Sequence, residues 1–233
     1  MKKAITVSAF CLALFLFASM ALLASSEKKV EFSPDGRTVR ALNPPTQITP
    51  ARASDPTLTT IAGNFSTYPN ALYFSVWGNT IAQGGSNYPF QIWQAEAFTP
   101  AADATVTEID VSLGDQSGGS AGIEVGLYDD AAGVPGTKIK SVHVSKLPRY
   151  GECCGVTTAT FKGLPVKAGT QYWVVISTTS KDVDIYGWAF NSTDMRAQLA
   201  AYRCTGSSTY CGNNSGVWVA FQYVQNGFQV LGH

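Results

Sequence analysis

This 233-residue sequence predicts an all-β fold, specifically an antiparallel β-sandwich of jelly-roll type. Three observations lead there. Short runs of apolar residues alternate with polar ones at period two, the mark of strands with one buried face. Gly and Pro punctuate the chain between those runs, as turns require. Charged residues make up only 14% of the chain, while Gly, Ser, Thr, Asn and aromatics are plentiful, the composition of a turn-rich sandwich. The clearest run is 123–136, where Ile123, Val125 and Leu127 alternate with Glu124, Gly126 and Tyr128 before an acidic, glycine- and proline-containing turn. Alternation resumes over 138–147 through Ile139, Val142 and Val144, so the segment predicts two antiparallel strands joined by a loop longer than the tightest hairpins.

From the N-terminus, Met1, Lys2 and Lys3 precede an apolar run, 4–23, interrupted only by Thr6, Ser8 and Ser19, and followed by Ala24, Ser25 and Ser26. That tripartite pattern predicts a signal peptide of bacterial type over 1–26, cut after Ser26, with Ala21 and Ala24 as rival positions. An uncleaved anchor is the competing reading, because a bilayer span takes roughly 20 apolar residues. Residues 27–56 carry five prolines and little apolar periodicity, and they read as a Pro-rich leader or linker. The sandwich domain is expected over 57–233, in a secreted or periplasmic protein with no membrane contact after cleavage.

Within the domain, strands are expected at 72–77, 90–98, 105–113, 156–161, 171–178, 183–190, 217–224 and 228–231. In 105–113 the apolar set Ile109, Val111 and Leu113 faces opposite Glu108, Asp110 and Ser112, predicting a half-buried strand. The 171–178 run has bulky residues on both faces and is expected to be a central strand packed on both sides. Residues 195–202 fit either a helical or an alternating spacing, and a strand is preferred.

Sixteen basic residues balance sixteen acidic ones without blocks, so no electrostatic footprint for nucleic acid exists. Cys11 lies in the signal segment. Cys153, Cys154, Cys204 and Cys211 remain, and four cysteines permit three pairings. Cys204 with Cys211 is favoured by the short Gly-Ser-Ser turn between them, leaving Cys153 and Cys154 to pair together or stay reduced. Crossed pairs remain the alternative. Metal binding by the four is disfavoured in an oxidising compartment with no histidine nearby.

Six ordered segments carry a family likeness: AEAFTPAADATVTEIDVSL (95–113), VGLYDDAAGVPGTKI (125–139), LPRYGECCG (147–155), PVKAGTQYWVVIS (165–177), YGWAFNST (186–193) and FQVLG (228–232). Together they resemble the bacterial exported β-sandwich domains called choice-of-anchor domains, most nearly the R type, over about 58–232. The resemblance implies an exported, non-catalytic domain, often carried on surface-anchored proteins. It also implies that the adjacent cysteines in GECCG belong to the shared pattern, which favours two local disulfides. The chain departs from the family where no hydrophobic tail, basic tail or sorting motif follows Gly232.

Catalytic chemistry has few candidates. The two histidines are His143, expected to face outward from a strand, and His233, the last residue, and no G-x-S-x-G or H-E-x-x-H signature occurs. Carboxylate pairs could serve a glycosidase, but Asp110, Glu124, Asp129 and Asp130 stand where strand faces and turns are solvated. Asp129 and Asp130 are the best metal candidates, for a structural calcium, against the competing reading that they hold turn amides. No other cofactor is expected.

Five tryptophans are the more promising feature, since flat apolar rings can stack on sugars with orientation set by nearby amides. Trp77, Trp93 and Trp173 are expected in the core. Trp188 and Trp218 adjoin glycines and Asn-rich loops, so Trp188, Asn191, Asn213 and Trp218 form the predicted ligand site, at one end of the sandwich. The expected function is an exported, non-catalytic binding or surface-structural module, its partner a polysaccharide or cell-surface component. The alternatives are a carbohydrate-binding module and a glycoside-active enzyme.

Overall fold

The computed structural model describes residues 30–32, 38–41, 57–65, 77–82, 90–115, 122–148, 156–178, 185–189, 199–206, 211–221 and 226–233. They form two antiparallel sheets packed face to face, so the all-β sandwich predicted from alternation is the fold. The large sheet contains β1 (Val30–Phe32), β2 (Thr38–Ala41), β4 (Trp77–Ala82), β5 (Phe90–Phe98), β7 (Leu113–Asp115), β8 (Ile123–Asp130), β9 (Pro135–Val144), β11 (Tyr172–Ser177), β12 (Ile185–Ala189), β13 (Ala200–Gly206) and β14 (Trp218–Phe221). The small sheet has the order β10 (Thr157–Val166), β6 (Ala104–Val111), β15 (Phe228–Gly232), β3 (Thr59–Gly63). Among the described residues no helix is long and apolar enough to cross a membrane.

The core between the sheets follows from strand parity. Ile123, Val125 and Leu127 of β8 and Tyr172, Val174 and Ile176 of β11 point inward, meeting Val106, Ile109 and Val111 of β6, Ala159 and Phe161 of β10, and Phe228 and Val230 of β15. Val106 and Ile109 differ in parity, yet both are inside. The register slips between Val106 and Glu108 against both β10 and β15, and a slip of one position turns the following side chains over. The polar set Glu108 and Asp110 is also largely covered, and Asp110 Oδ1 accepts from Thr158 Oγ1 at 2.6 Å.

The opposite face of the large sheet is packed too. Tyr128, Trp173, Val175, Ala95, Ala97 and Ala201 make a second apolar cluster there. Every residue of β11 is therefore buried, as expected of a central strand with bulky side chains on both faces. Four strands were not anticipated: β3, β4 beyond Trp77, β1 and β2. β1 and β2 fall in the Pro-rich 27–56 stretch, and β2 joins the sheet along β4. The expected strand 72–77 lies outside the described residues except for Trp77, and the signal segment lies outside them entirely.

Candidate functional site

The predicted tryptophan pair does not form. Trp188 on β12 is completely buried between the sheets, and its indole N–H donates to Gly227 O at 2.9 Å. Three donors converge on that one carbonyl, since Ser112 N and Ser112 Oγ also bond it, at 3.0 and 3.1 Å. A side chain at Gly227 would bring Cβ to 2.5 Å from Ser112 Oγ and 2.9 Å from the Phe65 ring, so glycine is what admits this close packing. The expectation that Trp188 exposes a stacking face is thereby corrected. Gly187, which suggested openness, is buried opposite Gly114 of β7 and Thr80 of β4. Asn191, Cys153 and Cys154 lie outside the described residues.

Trp218 is placed differently. It opens β14, half-buried, on the face of the large sheet turned away from the sandwich core. Antiparallel pairing sets Trp218 beside Arg203 of β13, and Arg203 beside Trp93 of β5. The two indoles approach to 6.4 Å between centroids, tilted by 51°, and the Arg203 guanidinium lies 5.0 Å from the Trp93 centroid. That distance is within the range of a cation–π attraction. Trp93, expected in the core, is half-buried on this outward face because Phe90 and Ile92 take the opposite parity.

The hairpin carrying Trp218 is pinned at its tip. Cys204 and Cys211 form a disulfide with Cα atoms 5.3 Å apart, the pairing favoured from the sequence. A short 3-10 turn, Gly212–Asn214, follows, with Asn213 exposed on it. Gly216 N then donates to Cys204 O at 2.7 Å, while Arg203 Nε donates to Gly216 O at 2.9 Å. The loop is thus tied on both sides of Gly216, which sets where Trp218 enters its strand.

Beyond Trp93 the same row of the sheet continues. Ile176 pairs with Gln94, so the next position sets Ser177 beside Trp93; Ser177 pairs with Glu124, and Glu124 with His143. His143 Nδ1 lies 3.2 Å from Glu124 Oε1. Tyr128 leans into this row across Gly126, where an added Cβ would stand 2.7 Å from the Tyr128 ring. Burial pushes the Tyr128 hydroxyl pKa up, a hydrogen bond with Ser177 opposes that, and the charges of Glu124 and Arg203 act on it in opposite directions. A serine, a carboxylate and a histidine thus share one row, but the carboxylate stands between the other two. With strands about 4.8 Å apart, His143 is two strands from the Ser177 hydroxyl and cannot take its proton as a triad base would.

Asp129 and Asp130 act as acceptors for the turn they open. Asp130 takes hydrogen bonds from Trp173 Nε1 at 2.9 Å, Gln171 Nε2 at 2.6 Å and Gly133 N at 3.1 Å. Asp129 Oδ1 accepts from Thr137 N. Burial works against ionisation of Asp130, but the bonds from Trp173, Gly133, Gln171 and Ala132 outweigh it and hold its carboxyl below the usual range. Among the described residues no group of three His, Cys, Asp or Glu side chains is arranged to hold a metal ion.

One carboxyl was missed from the sequence. Glu96 of β5 is wholly buried, accepting from Asn226 N at 2.8 Å through Oε1 while Oε2 has no hydrogen-bond partner among the described residues. Burial drives its pKa well above the ordinary value, against the smaller pull of the Asn226 bonds. Its parity with Phe98, an inward core residue, was the available signal. Comparison with protein-family models, with curated proteins and with solved structures finds no match to this chain.

Proposed function

We propose that the protein is an exported, non-catalytic binding module that takes an extracellular polysaccharide against the outward face of its large sheet. The carrying observation is the pairing of two half-buried indoles, Trp93 and Trp218, at 6.4 Å on a face where Tyr128 and Trp173 are buried. Paired aromatic faces on a rigid sheet offer apolar area to sugar rings at little entropic cost. Export is supported by the signal-like first 26 residues and by the Cys204–Cys211 disulfide, a bond that persists in oxidising compartments. A non-catalytic role is supported by the order Ser177, Glu124, His143 across the sheet and by the resemblance to choice-of-anchor domains. Affinity electrophoresis of the secreted protein through gels holding single soluble polysaccharides tests the reading, alongside a reducing-sugar assay on the same panel. Retardation in at least one gel without sugar release is expected. Free migration through every gel would leave the surface-structural role, and sugar release would establish an enzyme.

A further inference from the structure

We infer that the ligand is a carboxylate-bearing polysaccharide, a polyuronate, and that Arg203 is the residue that takes its carboxylate. The inference rests on the polysaccharide-binding reading and adds charge to it.

Arginine offers five N–H donors in a planar fork, and among the described residues one of them is engaged: Nε is spent on Gly216 O. Among the described residues the guanidinium has no carboxylate partner; Asp103 lies against Lys167 and Glu124 against His143. Arg203 is half-buried, so its charge is neither sunk in the core nor free on a flexible tether. The Trp93 ring fixes it from one side and the Gly216 carbonyl from another.

A pre-oriented fork whose terminal nitrogens have no partner among the described residues is the geometry that binds carboxylate through two parallel hydrogen bonds. The flanking indoles define what carries that carboxylate. A uronic acid presents an apolar ring face and an equatorial carboxylate on one residue, so Trp218 or Trp93 can take the ring while Arg203 takes the charge. Sulfated sugars offer an anion too, and a fork can take two oxygens of a tetrahedral oxyanion as well, so a dextran sulfate gel separates the two. Stacking on the same indoles without the arginine would suit a neutral glycan, for which the ionised guanidinium would have no counterpart. The chain as a whole has no net charge, so attraction to an acidic polymer must be local to this fork.

The test uses the full secreted chain and its R203M, R203K and W218A variants in affinity gels holding polygalacturonate, hydroxyethylcellulose or dextran sulfate. Near-UV circular dichroism and non-reducing peptide mapping confirm that each variant keeps its fold and its Cys204–Cys211 bond. Polygalacturonate should retard the wild type and the two other polymers should not. R203M should lose about tenfold or more in affinity, R203K should recover only part because it restores charge without the fork, and W218A should lose retardation as well. Retardation by hydroxyethylcellulose that W218A abolishes and R203M leaves intact would overturn the carboxylate inference while upholding the binding reading. Equal, Arg203-dependent retardation by dextran sulfate would overturn it in favour of general polyanion binding. Free migration in all three gels would overturn the inference together with the reading beneath it.

Discussion

The backbone N–H of Asn226 donates to Glu96 Oε1 at 2.8 Å, at a carboxyl with no exposed surface. Burial disfavours the charged form, so the folded protein holds the Glu96 proton to a pH well above that of the unfolded chain. The sign follows from linkage. Below the unfolded value, near the ordinary glutamate 4.5, both states are protonated and folding carries no ionisation cost. As pH rises from there through the raised folded pKa, the unfolded chain ionises first and the folded state loses stability.

Glu96→Gln, which keeps shape and a hydrogen-bonding carbonyl, should therefore gain stability relative to wild type as pH rises above about 4.5. Melting temperatures of both proteins across that range check it. Parallel curves would show that Glu96 is not the titrating group.

Asp130 has the opposite sign. Its folded pKa is lowered by the hydrogen bonds it accepts, so the stability they provide is present above about 3.8 and is lost as pH falls through the lower folded value. Asp130→Ala should cost about 1–3 kcal/mol at neutral pH by stranding the Trp173 and Gln171 donors. Because those donors already occupy the carboxylate, calcium added to the wild type should leave its melting temperature unchanged. A calcium-dependent rise abolished in Asp130→Ala would instead restore the metal reading of this turn.

The Cys204–Cys211 disulfide closes a loop with a sequence separation of 7, so its loss should destabilise by roughly 2 kcal/mol through the freer unfolded chain. Denaturant unfolding of the Cys204→Ala/Cys211→Ala double variant measures this. Both cysteines are buried beside Phe90 and Ile92, so the double variant also shows whether their packing matters beyond the bond.

Much of this architecture was legible because period two survives in the residues that make the core. The inward set of β8 and the two-sided burial of β11 could be assigned from 123–127 and 172–177 alone. β1 and β2 could not, since three- and four-residue strands in a Pro-rich stretch are defined by the partner they pair with, and that partner is β4. The site was half legible for the same reason. Trp218 was identified, but which ring it meets is decided by pairing of β14 with β13 and of β13 with β5, and those registers bring Trp93 rather than Trp188. Gly187 and Gly216 look alike in sequence, yet one lies in a buried strand between β4 and β7 and the other in the tip of a disulfide-closed hairpin.

The contrast between Trp188 and Trp218 tests the account most directly. Trp188→Ala should cost about 3–5 kcal/mol, as expected for a buried aromatic whose indole also bonds Gly227 O. Trp218→Ala should leave the melting temperature within a few degrees of wild type while abolishing retention on the retarding polysaccharide. Differential scanning calorimetry and affinity electrophoresis of the two variants, run side by side, give both quantities. Retention undiminished in Trp218→Ala, or a melting temperature that falls as far as in Trp188→Ala, would contradict the assignment of this face to a ligand.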